Sequence, residues 1–237
     1  MRHTNLLWNW TWHCALGELL GFGAVGLLAG GYMAIWGEPQ SLPARLAFLG
    51  LMLVAGSLEG GLLGYFQSRA LRRVFWRLSS NNWIDLTVVV AVAGWLLGML
   101  PSTLIEGDPA AGPDVETSPV LFLIMTAGAG LVAGALFGWA QSFELRRHVR
   151  KPFVVLRWMA ANALGWSVAL SFLYGAASWP DADTPAWQTI LISVAGGLLA
   201  GLSLGLITGL FLVRLRTPRP ASRRSASSVP NQYSQLR

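Results

Sequence analysis

The chain alternates long apolar stretches with short polar connections. Each stretch is longer than the roughly 20 residues that a helix needs to cross a hydrocarbon core. The stretches cover residues 12–35, 44–66, 84–105, 119–140, 153–177 and 187–213. In lipid a helix satisfies all of its backbone polar groups internally, so stretches of this length predict transmembrane helices. The pattern therefore predicts an all-α fold, a polytopic membrane helix bundle with about six transmembrane helices.

The charged residues lie mostly outside the apolar stretches, and they separate by sign. Arginine and lysine concentrate in the second and fourth connections and after the last stretch, whereas acidic residues concentrate in the third and fifth connections. Basic connections are retained in the cytoplasm, and acidic residues have little influence. The charges therefore predict a multi-pass protein of the cell inner (plasma) membrane with its N-terminus and its C-terminus in the cytoplasm.

The composition agrees with this topology and excludes a soluble fold. Hydrophobic residues make up 54% of the chain and charged residues 12%, against about 25% charged residues in soluble domains. The net charge of +6 sits at helix ends, so it indicates topology and not a nucleic-acid partner. Residues 1–216 form the predicted membrane domain. Residues 217–237, rich in Pro, Ser and Arg, are predicted to be a disordered basic cytoplasmic tail.

A motif recurs at the cytoplasmic ends of the second, fourth and sixth stretches. The pattern G-x-x-x-G-x-x-Q-x-x-x-L-R runs from Gly60 to Arg72 and again from Gly134 to Arg146. A weaker third copy has Thr208 in place of the glutamine. The copies are separated by about two helices and two connections, as Gln67, Gln141 and Thr208 show. A motif that recurs at this interval is typical of repeated helical units. We therefore expect three repeated helical hairpins.

This motif, together with Trp-rich helices that carry a Gly-Trp pair, resembles a group of uncharacterised polytopic membrane proteins predicted in bacteria. The resemblance covers most of residues 50–215 and implies the helical architecture, but it implies no substrate. The chain departs from the group's pattern at Thr208, and no Trp directly follows Gln67 or Gln141.

Glycines four residues apart predict close contacts between helices, because small residues let two backbones approach in lipid. The spacing at Gly26 and Gly30 fits the same expectation. The glycines most clearly placed for such packing are Gly60, Gly64, Gly134, Gly138, Gly197, Gly201 and Gly205.

Two carboxylates fall inside the apolar stretches. Glu18 lies eight residues after Trp10, or about 12 Å into the membrane at a rise of about 1.5 Å per residue. Glu59 precedes Ser68 by nine residues, so its depth is about 14 Å. Because the depths agree, adjacent antiparallel helices are expected to bring the two carboxyls together. An ionised carboxylate at this depth costs about 2.5 to 3.5 kcal/mol.

Two interpretations of this candidate polar site, which includes His13, remain open. Two nearby carboxyls share a proton, which is what a proton relay or a cation site requires. Alternatively, each carboxyl is neutral and bonds to a backbone carbonyl, to Ser57 or to His13. Only the first interpretation gives the site a function.

The remaining polar and aromatic residues are expected at the membrane interfaces. Gln67 and Gln141 are predicted to close their helices there by bonding to free carbonyls and to each other, and Asn162 to bond across to Gln141. Arginine pairs at the helix ends are expected to contact anionic lipid headgroups, and most tryptophans to form an interfacial belt. The arginines are Arg72, Arg73, Arg146 and Arg147; the tryptophans are Trp8, Trp10, Trp12, Trp36, Trp76, Trp83, Trp158, Trp179 and Trp187.

No nucleophile with a base, no metal cluster and no phosphate loop occurs in the sequence, so we predict no enzyme, no catalytic residue, no metal and no cofactor. The leading hypothesis is a non-enzymatic membrane protein that acts by packing against itself, the lipid bilayer or a membrane protein partner. The alternative is a small transporter or channel for protons or another solute that uses Glu18 and Glu59. An enzyme acting on lipid is a more distant third hypothesis.

Overall fold

The computed structural model describes residues 3–105, 118–181 and 183–215. These residues form six helices and contain no strand, which confirms the predicted all-α bundle. The helices are α1 (His3–Trp36), α2 (Leu42–Arg72), α3 (Ser80–Leu104), α4 (Pro119–Leu145), α5 (Val154–Ser178) and α6 (Ala186–Leu215). The predicted tail, residues 217–237, lies outside the described residues.

Five of the helices, α1, α2, α3, α4 and α6, are long and apolar enough to span a membrane. Helix α5 is 25 residues long, but Arg157, Asn162, Ser167 and Ser171 interrupt its apolar sequence. It packs between α4 and α6. The chain is therefore a multi-pass membrane protein.

Five of the six helices are longer than the predicted apolar stretches, and α5 has the predicted length. Helix α1 begins at His3, and α2 continues through the basic residues to Arg72. A hydropathy pattern reports only the part of a helix that needs apolar side chains, whereas backbone hydrogen bonding continues beyond it. Local signals set some of the ends: Ser41 accepts a hydrogen bond from the Ala44 N–H and caps α2, and Gly37, with φ of 70°, follows α1.

The six helices form a closed ring in which each helix packs on its neighbours in sequence and α6 packs on α1. Neighbouring helices are antiparallel, as Gly17 against Leu63 and Gly21 against Glu59 show for α1 and α2. One end of the ring therefore gathers the basic helix ends, and we call it the basic end. It carries Arg69, Arg72, Arg73, Arg77, Arg146, Arg147, Arg150, Lys151, Arg157 and Arg214.

The glycines determine which helix pairs pack most closely. A methyl group added at Gly60 would lie 2.7 Å from the Ala91 Cβ, and one at Gly201 would lie 2.5 Å from the Ala15 Cα. The same holds for Gly138 against the Met159 Cα, at 2.5 Å. The glycine faces thus join α2 to α3, α4 to α5, and α6 to α1. These pairs are offset by one helix from the predicted hairpins, because each glycine face points to the following helix.

The other predicted packing glycines follow the same pattern, except on α1. Gly64 faces Ile84, Gly134 faces the Asn162 carbonyl, Gly205 faces Thr11, and Gly197 has an ordinary contact with Leu19. Gly26 and Gly30 have no neighbouring atom within 4 Å in the described structure. The described helices therefore form no close contact at this pair, and both glycines are exposed on the surface of α1.

The interface between α3 and α4 is the loosest in the ring. At the α1–α2 and α5–α6 interfaces, Gly17 lies against Leu63 and Gly165 against Leu204. Both glycines are seven residues after a buried tryptophan, and Val90 occupies that position on α3. A branched side chain there keeps the two backbones farther apart.

Replacing Gly201 with leucine is expected to lower the free energy of unfolding by at least about 1 to 3 kcal/mol, because the side chain collides with the Ala15 backbone. Gly50→Leu on α2 is the matched control, since Gly50 has no neighbour within 4 Å. Denaturation of both variants in detergent measures the difference. Equal stability would contradict the proposed contact.

Candidate functional site

Three tryptophans lie at the centre of the bundle. Trp10, Trp83 and Trp158 come from α1, α3 and α5, and each is 0% exposed. The ring centroid of Trp158 is 5.9 Å from that of Trp10 and 6.3 Å from that of Trp83. Their expected place in an interfacial belt is therefore wrong, because these three side chains point into the ring. The others of that set are exposed: Trp8, Trp12, Trp36, Trp76, Trp179 and Trp187.

The indole N–H of each of these three tryptophans donates to a side chain on an even-numbered helix. Trp10 Nε1 donates to Thr208 Oγ1 at 2.8 Å. Trp83 Nε1 donates to Gln67 Oε1 at 3.1 Å, and Trp158 Nε1 donates to Gln141 Oε1 at 3.2 Å. Thr208 thus occupies on α6 the place that the two glutamines occupy on α2 and α4. We call these six residues, one from each helix, the Trp–Gln layer.

The two glutamines bond to each other across the bundle. Gln141 Nε2 donates to Gln67 Oε1 at 3.0 Å and to Thr87 Oγ1 at 3.1 Å. Gln67 Nε2 lies 3.7 Å from the Cys14 Sγ. Both amides are buried, and α2 and α4 continue past them. The predicted bond between the two amides is therefore present. The expectation that they close the helices at the interface is wrong, because their other partners are buried indoles and a hydroxyl and not free carbonyls.

Asn162 is also buried, but it bonds within its own helix. Its Nδ2 donates to the Trp158 carbonyl at 2.9 Å, so the predicted bond to Gln141 is not the one formed. The oxygen of the Gln141 amide instead accepts from the Trp158 indole.

The two intramembrane carboxylates lie farther from the basic end than the Trp–Gln layer. Glu18 is 0% exposed, and neither of its carboxyl oxygens has a hydrogen-bond partner among the described residues. Glu59 is also buried, and its Oε2 accepts a hydrogen bond of 2.6 Å from Trp95 Nε1. Gly21, one turn after Glu18 on α1, lies against the Glu59 side chain, since a methyl group there would be 3.1 Å from the Glu59 Cγ. The two acidic groups are thus neighbours across the α1–α2 contact, and among the described residues one donor, Trp95, serves them.

Glycines allow the helices to close around these carboxyls. A methyl group at Gly21 on α1 would lie 3.1 Å from the Glu59 Cα. One at Gly201 on α6 would lie 3.0 Å from the Glu18 Cβ. Small residues on α1 and α6 therefore leave room for the acidic side chains, which fill the interior where α1, α2 and α6 meet.

His13 does not belong to this site. Its ring Nδ1 bonds to the Asn9 carbonyl at 2.6 Å, and the ring packs against Phe66 on α2. His13 precedes Glu18 by five residues, and each residue of a helix turns by about 100°. The two side chains therefore point to different sides of α1. Ser57 bonds to the Leu53 carbonyl. The expected alternative partners of the carboxyls therefore have other partners.

A third buried carboxylate, that of Glu144, lies at the basic end within a cluster of hydrogen-bond donors. The Glu144 side chain is buried and accepts hydrogen bonds from the Ser79 N–H at 2.9 Å and from Asn82. It also pairs with Arg147 at 3.0 Å and with His148 at 3.1 Å. This cluster joins α4 to the start of α3, and both carboxylate oxygens of Glu144 have hydrogen-bond partners. The predicted headgroup arginines, Arg72, Arg73, Arg146 and Arg147, are all exposed at this end.

The sequence carries a signal for the inward-facing tryptophans of the Trp–Gln layer. A small or polar residue follows each buried tryptophan by one helical turn: Cys14 after Trp10, Thr87 after Trp83, and Asn162 after Trp158. No comparable pattern marks Trp95, which reaches Glu59 only because Gly56 leaves room for its ring.

No protein-family model, no curated protein and no solved structure matches this chain. Among the described residues, no group of three or more His, Cys, Asp and Glu side chains could hold a metal ion. What the arrangement offers is a pair of buried carboxyls, one of them without a partner.

Gln141→Leu is expected to destabilise the protein by about 1 to 3 kcal/mol, because it leaves the buried Trp158 indole N–H without an acceptor. Gln188→Leu on α6 removes an amide outside the layer and is the matched control. Chemical denaturation of both variants measures the effect. If the two losses are equal, the hydrogen bonds of the layer do not hold the bundle together.

Proposed function

We propose that this protein is a non-enzymatic membrane protein that takes up and releases a proton at Glu18 and Glu59, as a small proton-linked transporter or channel does. One observation carries the proposal: Glu18 is completely buried, its two carboxyl oxygens have no hydrogen-bond partner among the described residues, and a second carboxyl lies close by. Ionisable groups inside the membrane are costly, and they mark ion and proton pathways.

The surroundings of the pair favour a proton over a metal cation. Sodium, calcium and magnesium need several oxygen ligands, which transporters often supply from unwound backbone carbonyls. Helices α1 and α2 are continuous, so their carbonyls near Glu18 and Glu59 are used within the helices. The groups that the structure places against the pair are the Trp95 indole and the backbones of Gly21 and Gly201. A proton needs no further ligand than one carboxylate.

We also propose that the basic end faces the cytoplasm of the inner (plasma) membrane, where its exposed arginines contact anionic lipid headgroups. The number of basic residues at this end supports the proposal.

The three similar tryptophan-to-acceptor contacts support an origin of the bundle from a repeated helical unit.

The carboxyl pair is expected to react with dicyclohexylcarbodiimide, which enters membranes and modifies protonated carboxyls. Mass spectrometry of the purified protein should find the adduct on Glu18 or Glu59, with a yield that falls as the pH rises. Glu144 is the matched control, because it is equally buried but paired with Arg147, and it should not react. Absence of the adduct at every pH would overturn the proposal.

Glu18→Gln keeps the size of the side chain and removes the titration. Folding should survive, and proton flux into liposomes loaded with a pH-sensitive dye should be lost. If wild-type liposomes carry no flux but the carboxyls still label, the pair binds protons without transporting them.

One observation favours a second candidate, in which the protein acts by assembly with a copy of itself. Gly26 and Gly30 are exposed on α1, with no neighbouring atom within 4 Å in the described structure. Glycines four residues apart are a common interface between transmembrane helices. Such a face is available to α1 of another copy.

Gly26→Leu should then convert an oligomer to a monomer without unfolding it, because the large side chain prevents close approach of the helices. Leu27→Ala, at a neighbouring residue that is 80% exposed, should leave the oligomer intact. Sedimentation analysis in detergent distinguishes the two results. A monomeric wild-type protein would eliminate this candidate.

A further inference from the structure

The interior between the carboxyl pair and the basic end is closed by two consecutive tiers of side chains. The first is the Trp–Gln layer, to which all six helices contribute. The second lies one helical turn nearer the basic end, where Leu71, Leu145 and Leu212 are at most 1% exposed. These leucines follow the layer residues of α2, α4 and α6 by four positions. Close-packed interiors of this kind leave little room for water.

The hydrogen bonds of the Trp–Gln layer do not form a proton relay. An indole N–H donates and has no lone pair to accept, and an amide N–H does not release its proton at ordinary pH. The buried hydroxyls in or beside the layer, except for that of Thr11, donate to carbonyls of their own helices; they are those of Thr87, Thr208, Ser68 and Ser142. Neither the Thr11 hydroxyl nor the Glu18 carboxyl has a hydrogen-bond partner among the described residues, so no continuous chain of hydrogen bonds leads from Glu18 toward the basic end.

Packing ends sooner on the other side of the pair. Among the described side chains, α1 has none buried after Val25, α6 has none before Gly196, and α4 has none before Thr126. Gly196 is only about 8 Å along α6 from Gly201, which faces Glu18. Burial continues farther between α1, α2 and α3, where Val25, Met52 and Ala55 pack together. The thin cover one to two helical turns beyond the carboxyls therefore lies on the α4 and α6 side of the described bundle.

We infer that, while the Trp–Gln layer is closed as it is in this structure, Glu18 and Glu59 exchange their proton with the side of the membrane opposite the basic end, and that this layer is the barrier that has to open for transport to the basic end. This inference rests on the proposed proton exchange at the pair. On release, the carboxyl O–H bond breaks and the proton passes to a water molecule from that side; uptake is the reverse.

The groups that face the carboxyls are consistent with this direction. On α1, the Cys14 thiol lies one turn nearer the basic end than Glu18. Helix α2 contributes Glu59, α3 contributes the Trp95 indole, and α6 contributes Gly201. On the basic side, the one acidic side chain that is buried among the described residues is Glu144, and its oxygens are already paired with Arg147 and His148.

Membrane vesicles of known orientation test the inference, with carbodiimide labelling as the readout. The lumen is held alkaline while the medium is made acidic, in right-side-out and in inverted vesicles. Protease cleavage after Leu215 shows in the same vesicles which side the basic end faces. Labelling of Glu18 and Glu59 should rise several-fold when the opposite side is acidified and should not change when the basic-end side is acidified.

Variants of Trp83 test the barrier itself. Trp83→Ala opens the layer, so labelling should now respond to acid on both sides. Trp83→Phe keeps an aromatic ring in the layer, and Trp76→Ala removes a side chain that is 68% exposed; both should behave as the wild type. If Trp83→Ala does not fold, the sidedness of the wild type remains the test.

The outcomes separate this inference from the proposed function. Labelling of the wild type that follows the pH on the basic-end side, or on both sides, would overturn the inference and leave proton binding intact. Labelling that follows the pH on neither side would overturn the inference and the proposed function together.

Discussion

The hydrogen bonds from three buried indole N–H groups hold the bundle in register. Inside lipid a buried donor has no water to bond, so each tryptophan needs an acceptor at one depth on one neighbouring helix. Gln67, Gln141 and Thr208 supply these acceptors. Sliding one helix by a turn would leave a donor and an acceptor unpaired. The glycine contacts lie within two to three turns of this layer, so they depend on the same register.

The similarity among the three units ends at the carboxyls. Eight residues after the buried tryptophans, α1 has Glu18, whereas α3 has Ala91 and α5 has Trp166. Glu59 has Ala133 and Ala200 as its counterparts on α4 and α6. The pattern that builds the scaffold is therefore shared by all units, but the acidic pair occurs once, where α1 meets α2. A feature that the scaffold does not need is a better candidate for function than one that recurs in it.

The Glu144 cluster shows what a structural carboxylate looks like in this protein. Its oxygens receive a backbone N–H, an amide, an arginine and a histidine. Glu18 receives none of these within the described structure, although it is at least as deeply buried. The same type of side chain is thus stabilised as an anion at the basic end and left without a donor in the membrane. This contrast supports proton exchange at Glu18.

The sequence by itself determined the helical membrane fold, because apolar stretches of this length have no other stable arrangement in lipid. It also indicated that Glu18 and Glu59 have similar depths, since the rise of a helix is fixed. It did not determine which way a side chain faces around its helix. Trp83 has the composition of an interfacial tryptophan, and only the ring of six helices directs it inward to Gln67. Similarly, only tertiary packing of α6 on α1 decided that the glycine faces join adjacent units and that Glu18 lacks a donor. The depth of a residue in the membrane is a local property of its helix. The direction of its side chain and its hydrogen-bond partners depend on helices that are distant in sequence.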